Sequence, residues 1–380
     1  MPDVNIISPK FAENVQEASN GVLPYGDNNS IDSFLVSWRD FKNLLNKSVT
    51  AGSIFSNPIV STYSLINTAA GGYTGGVLAP NGDIHFIPRF ANRGQKINSA
   101  GVVSTYSLIY TMSTEGAYQG GVLSPNGDIH FVPSAANRGQ KINSSGVVST
   151  YSLVYTALYA YFGGVLASNG EVHFVPRNAN CGQKISQSGV VSTYSLVYTN
   201  GNIAYIGGVL APNGDIHFVP CSAPVGQKIN SAGVVSTYSL PYTTISAYVG
   251  GVFAANGDIH FVPSAANRGQ KINSSGVVST YSLVYTTNVN PYSGGVLAPN
   301  GDIHFIPYSA PVGQKINSSG VVSTYSLVYT VDYAYLGGVL APNGDIHFVS
   351  FFANIGQKIS TTAALPFDIG TCCSSFLNKF

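Results

Sequence analysis

From Ile59 to Ser360 the chain consists of short apolar and β-branched runs broken by Gly, Pro, Asn and Ser, and the runs return about every 43 residues. The consensus unit reads "YxGGVLA", a Pro-Asn-Gly turn, "DIHFVP", a five-residue loop, "GQKI", an "NSSG" turn and "VVSTYSLVYT", and the last unit stops after "GQKIS". Val, Ile, Tyr, Thr and Phe favour pleated surfaces, and Asn-Gly is a strong hairpin signal, so each unit reads as four antiparallel strands with the fourth the longest. The apolar residues do not alternate cleanly, as expected when both faces of a sheet are covered. A four-stranded unit with this period is the size of one propeller blade. "SAANRGQKINSSGVVSTYSLVYT" occurs unchanged at 134–156 and 264–286. Identical copies need near-identical surroundings, which a closed ring supplies and the ends of a solenoid do not. The chain holds seven copies of "GGV" and seven of "VSTYSL", but the first "VSTYSL", Val60–Leu65, precedes the first "GGV". The pattern predicts an all-β, seven-bladed β-propeller in which this N-terminal strand completes the last blade. The entropy of closing so long a loop grows only logarithmically with length.

The repeats divide the chain into an N-terminal extension (1–57), the propeller (58–360) and a C-terminal tail (361–380). In the extension, "SIDSFLVSWRDFKNLLNK" (30–47) places Phe34, Trp38, Phe41 and Leu45 on one stripe and predicts a short amphipathic helix. The tail ends in apolar Phe376, Leu377 and Phe380 beyond the adjacent Cys372 and Cys373. Cys181 and Cys221 stand alone in their repeats, so the four cysteines form neither a disulfide framework nor a zinc motif. Only 9% of residues are charged and the net charge is +1, which offers nucleic acid no basic field. The sequence shows neither an 18-residue apolar run nor a basic-then-apolar start, so neither membrane insertion nor a cleaved signal peptide is expected.

The "GGVLAPNG" repeats resemble those of a propeller-like family found in large DNA viruses, phages and some protists. The resemblance covers 59–360 and implies a seven-bladed propeller, often in virion or surface proteins. It transfers no catalytic residue. This chain departs from the family's usual form by placing His where Tyr is common and Asp or Glu where Lys is common.

All seven histidines, His85, His130, His173, His217, His260, His304 and His347, occupy one position of the repeat. Two residues before each stands an acid on the same strand face, such as Asp215 before His217. Neighbouring blades pack about 10 Å apart, too far to share a zinc ion whose ligands lie about 2 Å away. The histidines are therefore expected to be structural, each buried against a carboxylate or backbone, with no metal or cofactor. The repeat lysines on the adjacent strand, such as Lys228, are expected to be solvated or to pair with these acids. Serines recur seven times in "STYS" with no distinct base beside any copy. A catalytic site needs an asymmetric constellation, so no enzyme is expected.

The loop after "IHFVP" and the link before "GGV" differ among the copies, whereas the "PNG" and "NSSG" turns barely change. In an up-and-down blade both variable segments fall on one face of the disc. That face is expected to bind a ligand. Its candidates are Arg89, Phe90, Arg93, Arg138, Tyr159, Arg177, Tyr308, Phe351 and Phe352, with Glu115, Asp332 and Tyr333 beside them. Arginine and aromatic anchors suit a protein or sugar partner. The expectation is a non-enzymatic virion component that displays this face to a host-surface glycan or protein or to other virion proteins, with the termini as anchors for a homo-oligomer. The alternative is an intracellular, cytoplasmic interaction scaffold.

Overall fold

The computed structural model describes residues 58–286 and 290–361. The N-terminal helix with Trp38 and the tail with Cys372 and Cys373 lie outside the described residues. The described chain forms seven four-stranded antiparallel sheets. The first blade consists of β2 (Tyr73–Leu78), β3 (Ile84–Pro88), β4 (Arg93–Ile97) and β5 (Val103–Ser107). The next five blades repeat this order. The seventh is built from β26 (Tyr335–Leu340), β27 (Asp345–Ser350), β28 (Ile355–Ser360) and β1 (Ile59–Ser64), which pairs with β28 from Ile59↔Ser360 to Ser64↔Ile355. The N-terminal strand thus closes the ring, as the repeat count requires.

Each blade is held by an aromatic pair. The tyrosine that opens the first strand, Tyr73 in blade one, is 1% exposed and packs edge-on against Phe86 at 5.8 Å between ring centroids. Its hydroxyl donates to the Arg93 carbonyl at 2.8 Å, which relieves the cost of burying a phenol. The same pair and the same bond recur around the ring, ending with Tyr335, Phe348 and the Ile355 carbonyl.

The fourth strand is not the longest. It spans five residues in blade one, and the following "LIY" leaves the ladder to be held by the next blade. There Gln140, fully buried, accepts the backbone N–H groups of Ile109 at 3.1 Å and Tyr110 at 2.8 Å through its Oε1. Gln95, Gln183, Gln227, Gln314 and Gln357 accept the same two bonds from the preceding blades. Gln270 accepts only one, from Tyr242, because Pro241 stands where the other N–H would be. The "GQKI" glutamine is therefore the clamp between blades.

The innermost strands meet at a ring of glycines. A Cβ built on Gly163 would lie 3.1 Å from the Gly207 Cα, and one on Gly337 would lie 3.0 Å from the Gly75 Cα. Gly163 also has φ +72°, which side-chain-bearing residues rarely adopt. A bulge in each first strand, between Tyr73 and Gly76 in blade one, turns these glycines toward the axis. The variable loops lie on one side of this glycine ring, and their axial end is termed the mouth.

Candidate functional site

The histidines form a ring within the blades. The pairing of His85 with Val77 and of Pro88 with Tyr73 sets each histidine toward the constant-turn end of its strand and the loop residues at the opposite end. Each imidazole is 1–7% exposed. In six blades its Nδ1 pairs with the fourth-strand tyrosine, as in His85–Tyr106 at 3.3 Å and His130–Tyr151 at 3.2 Å. The repeat acid instead accepts the lysine, as in Lys96–Asp83 at 2.6 Å. Burial pushes the histidines down to about 4, and His304 to about 3, so all are neutral near pH 7. Among the described residues no three His, Cys, Asp or Glu side chains gather in a form that could hold a metal ion. Blade three differs from its sisters. Its Glu171, longer than Asp, brings Oε2 to 3.6 Å from His173 Nε2 while also accepting Lys184.

The mouth on the variable face is asymmetric from the start. Seven residues stand in one left-handed position at the entry to the blades: Gly71, Gly116, Tyr159, Ile203, Ser246, Asn290 and Tyr333. Five of them carry side chains at positive φ, including Tyr159 at 54° and Tyr333 at 60°, and such strain persists only where neighbours fix it. The fixing contacts come from the preceding blade's loop. Ala160 N–H donates to the Ser134 carbonyl at 3.1 Å, Ala204 N–H to the Arg177 carbonyl at 2.8 Å, and Ile203 N–H to Asn178 Oδ1 at 2.8 Å.

Where the ring has Gly71 and Gly116, the Arg89 side chain takes the space. A Cβ on Gly116 would lie 2.8 Å from Arg89 Cγ, and one on Gly71 would lie 3.3 Å from Arg89 Nη1. The guanidinium lies 4.0 Å from the Phe90 ring centroid and 5.4 Å from that of Phe351. Burial lowers its affinity for a proton; Tyr308 and Tyr159 oppose that effect and Arg177 adds to it. Arg177 in turn lies 5.2 Å from the Tyr159 ring centroid, and its Nε is buried without a partner. The Tyr159 hydroxyl donates to Glu115 Oε2, and this bond pushes the phenol up from its ordinary value. Among the described residues neither arginine has a carboxylate within 4 Å. Tyr308, Tyr333, Phe351 and Phe352 form an aromatic wall, with centroids 5.0 Å apart for Tyr308–Tyr333 and 4.8 Å for Phe351–Phe352. Cys221, buried near Arg177, has its thiol pushed up to about 11 by burial and is no nucleophile at neutral pH.

The structure therefore links Arg89 to Phe90 and Phe351, Arg177 to Tyr159, and Tyr308 to Tyr333 and the Phe351–Phe352 pair. Arg93 and Arg138 begin third strands instead. Arg93 Nε donates to Thr105 Oγ1 at 3.2 Å and Arg138 lies over Tyr110 at 5.2 Å, both exposed and away from the axis. Glu115 belongs with Tyr159, and Tyr333 with the aromatic wall. Asp332 is exposed beside them.

Among curated proteins none matches this sequence. Solved structures share the fold. A streptogramin B lyase superposes with a TM-score of 0.70 at 21% identity, over 81% of this chain and 99% of that one. A virginiamycin B lyase from Staphylococcus aureus gives 0.68 at 20% identity, over 80% and 99%. A catalytically inactive histidine-to-alanine form of the Staphylococcus aureus enzyme with quinupristin gives 0.70 at 20% identity, over 80% and 99%. The sequence model of the virginiamycin B lyase family matches residues 58–358. These matches uphold the repeat propeller and do not show the viral "GGVLAPNG" family. They also overturn the expectation of a non-enzymatic virion attachment component, because the matched family is named for an enzyme. The symmetry of the single repeat was a poor guide, because the side chains at the mouth differ from blade to blade and are divided among loops and links of several blades. By its match over the whole propeller, the chain belongs to the virginiamycin B lyase family.

Proposed function

We propose that the protein is a lyase that cleaves its substrate by elimination at the mouth of the variable face. The observation that carries this reading is the contact chain Glu115–Tyr159–Arg177, which ends in a buried Nε without a partner. An elimination needs a base for a proton on carbon beside a carbonyl, and a positive group for the charge that develops on oxygen. Glu115 supplies the base, oriented by the Tyr159 hydroxyl. As the C–H bond breaks, its electron pair forms the carbon–carbon double bond. The neighbouring C–O bond then breaks, and the leaving oxygen keeps its pair as an anion beside Arg177. No water is consumed. The match to a lyase family and the lyase structures of like fold support the reading. The histidine whose loss inactivates the Staphylococcus aureus enzyme is not carried across at 20% identity. The described histidines here lie buried in the blades, so the base assigned at this mouth is a carboxylate.

The test uses quinupristin, the compound present with that fold neighbour, as the first probe. The intact protein should consume it, and Glu115→Gln and Arg177→Gln should each abolish turnover without lowering the melting temperature. Glu171→Gln, at the opposite end of a blade, should retain turnover. No consumption by the intact protein, or full turnover by the two mouth variants, would refute the proposal.

A further inference from the structure

Arg89 stands beside the reacting group assigned above, and its surroundings suit a separate task. Its guanidinium carbon lies 4.0 Å from the Phe90 ring centroid and 5.4 Å from that of Phe351, contacts that use an arginine's π face rather than its N–H donors. Its seat exists because two of the seven left-handed positions are glycine. Any side chain at Gly71 or Gly116 would strike Phe90 or Arg89 at 2.9 or 2.8 Å. No carboxylate of the described residues lies within 4 Å of it. A half-buried guanidinium offering a fork of donors without an acid is matched by a planar carboxylate. Next to it, Tyr333 and Phe352 are 42% and 49% exposed although they belong to a wall of tilted and edge-on rings reaching Phe351. Exposed rings continuous with a buried cluster are a surface for another ring.

We propose that Arg89 and this wall form a specificity subsite for a carboxylate that the substrate carries permanently, close to an aromatic ring. Arg89 touches Phe351, and Phe351 touches Phe352, so the two recognised groups lie within one residue's reach. A peptide ending in an aromatic residue has this chemistry. Arg89 is here a recognition residue, distinct from the proton transfer at Glu115. The inference rests on the mouth being the substrate site, and it is tested by binding alone.

The probe is N-acetylphenylalanine, titrated into the full chain and followed by ligand-observed NMR, against its amide and against N-acetylleucine. The acid should bind about tenfold more tightly than the amide, the scale of a charge-assisted hydrogen-bond pair, and more tightly than the leucine analogue. Arg89→Gln should remove the preference for acid over amide. Phe352→Ala should remove the preference for phenylalanine over leucine and keep that for the acid. Thermal melting of both variants verifies folding, and Arg93→Gln serves as a control that should bind as the parent does. Equal binding of acid and amide, or an acid preference that survives Arg89→Gln in a folded protein, would overturn the inference. Either result leaves quinupristin turnover as a separate test of the lyase reading. Loss of turnover with the binding preferences intact would sink that reading and spare this one.

Discussion

The Tyr63 ring lies 5.3 Å from that of His347, joining the first described strand to the last blade across the closure of the ring. The geometry repeats the His–Tyr pair of the other blades, with one difference. Neither the Tyr63 hydroxyl nor His347 Nδ1 has a hydrogen-bond partner, whereas Tyr106 and His85 pair at 3.3 Å. Closure therefore depends on strand pairing and ring packing, not on this bond. Tyr106→Phe should cost about 1 kcal/mol, and Tyr63→Phe close to nothing. Truncation through Ser64, which bares the β28 edge, should abolish cooperative melting, whereas truncation through Asn57 should preserve it. Denaturant unfolding measures all four. Equal costs for the two phenylalanine variants would contradict the assignment.

The glutamine clamps make a second, internally controlled prediction. Gln140→Leu strands two backbone donors, and each unsatisfied buried group costs about 1–3 kcal/mol. Gln270→Leu strands one, because Pro241 has already removed the other. The first variant should therefore be the less stable by at least about 1 kcal/mol. Equal losses would show that the glutamines act by packing alone.

Acid should destabilise the ring in a defined window. Burial first, and the nearby lysine next in most blades, hold the folded histidines at about 4 against 6.5 for the free group. Between these values the unfolded chain binds more protons, so stability present above pH 6.5 is lost as pH falls toward 4. All seven histidines are shifted in the same direction, so their effects add in sign. Thermal melting followed by circular dichroism at stepped pH should show the melting temperature falling as pH drops from 6.5 toward 4. Unchanged stability down to that pH would mean that the imidazoles are hydrated.

Tyr159 should reveal strain held for function. At φ 54° a glycine would be easier to accommodate by about 1 kcal/mol. Tyr159→Gly should melt no lower than the parent, and Tyr159→Phe should melt alike. Both should lose turnover, because Glu115 loses its orienting hydroxyl. Turnover retained in Tyr159→Phe would remove Tyr159 from the mechanism.

The blades, their turns and the closing strand were legible because each is written inside one repeat. The contacts between repeats were not. Gln140 reads as a polar strand residue until the preceding blade's Tyr110 is beside it, and Gly163 reads as a flexible residue until Gly207 is. Loop variability located the face but not the radius. Arg89 and Arg93 stand four residues apart, yet Arg89 packs against Gly71 and Gly116, whereas Arg93 opens β4 and donates to Thr105 of the outer strand. The mouth was half legible for the same reason. Glu115, Tyr159 and Arg177 come from separate links and loops, and no local motif joins them. Aligning the seven copies on the tyrosine that opens each blade would have exposed one signal, the series Gly71, Gly116, Tyr159, Ile203, Ser246, Asn290 and Tyr333. A position so changeable, two residues before a constant one, marks the lining of the mouth.

An elimination at the mouth consumes no water, which separates it from hydrolysis. Mass analysis of the product formed from quinupristin in oxygen-labelled water, by the intact protein and by Arg177→Gln, distinguishes the two. Elimination gives an unlabelled product whose total mass equals that of the substrate, and no product from the variant. Incorporation of labelled oxygen, or undiminished product from Arg177→Gln, would contradict it.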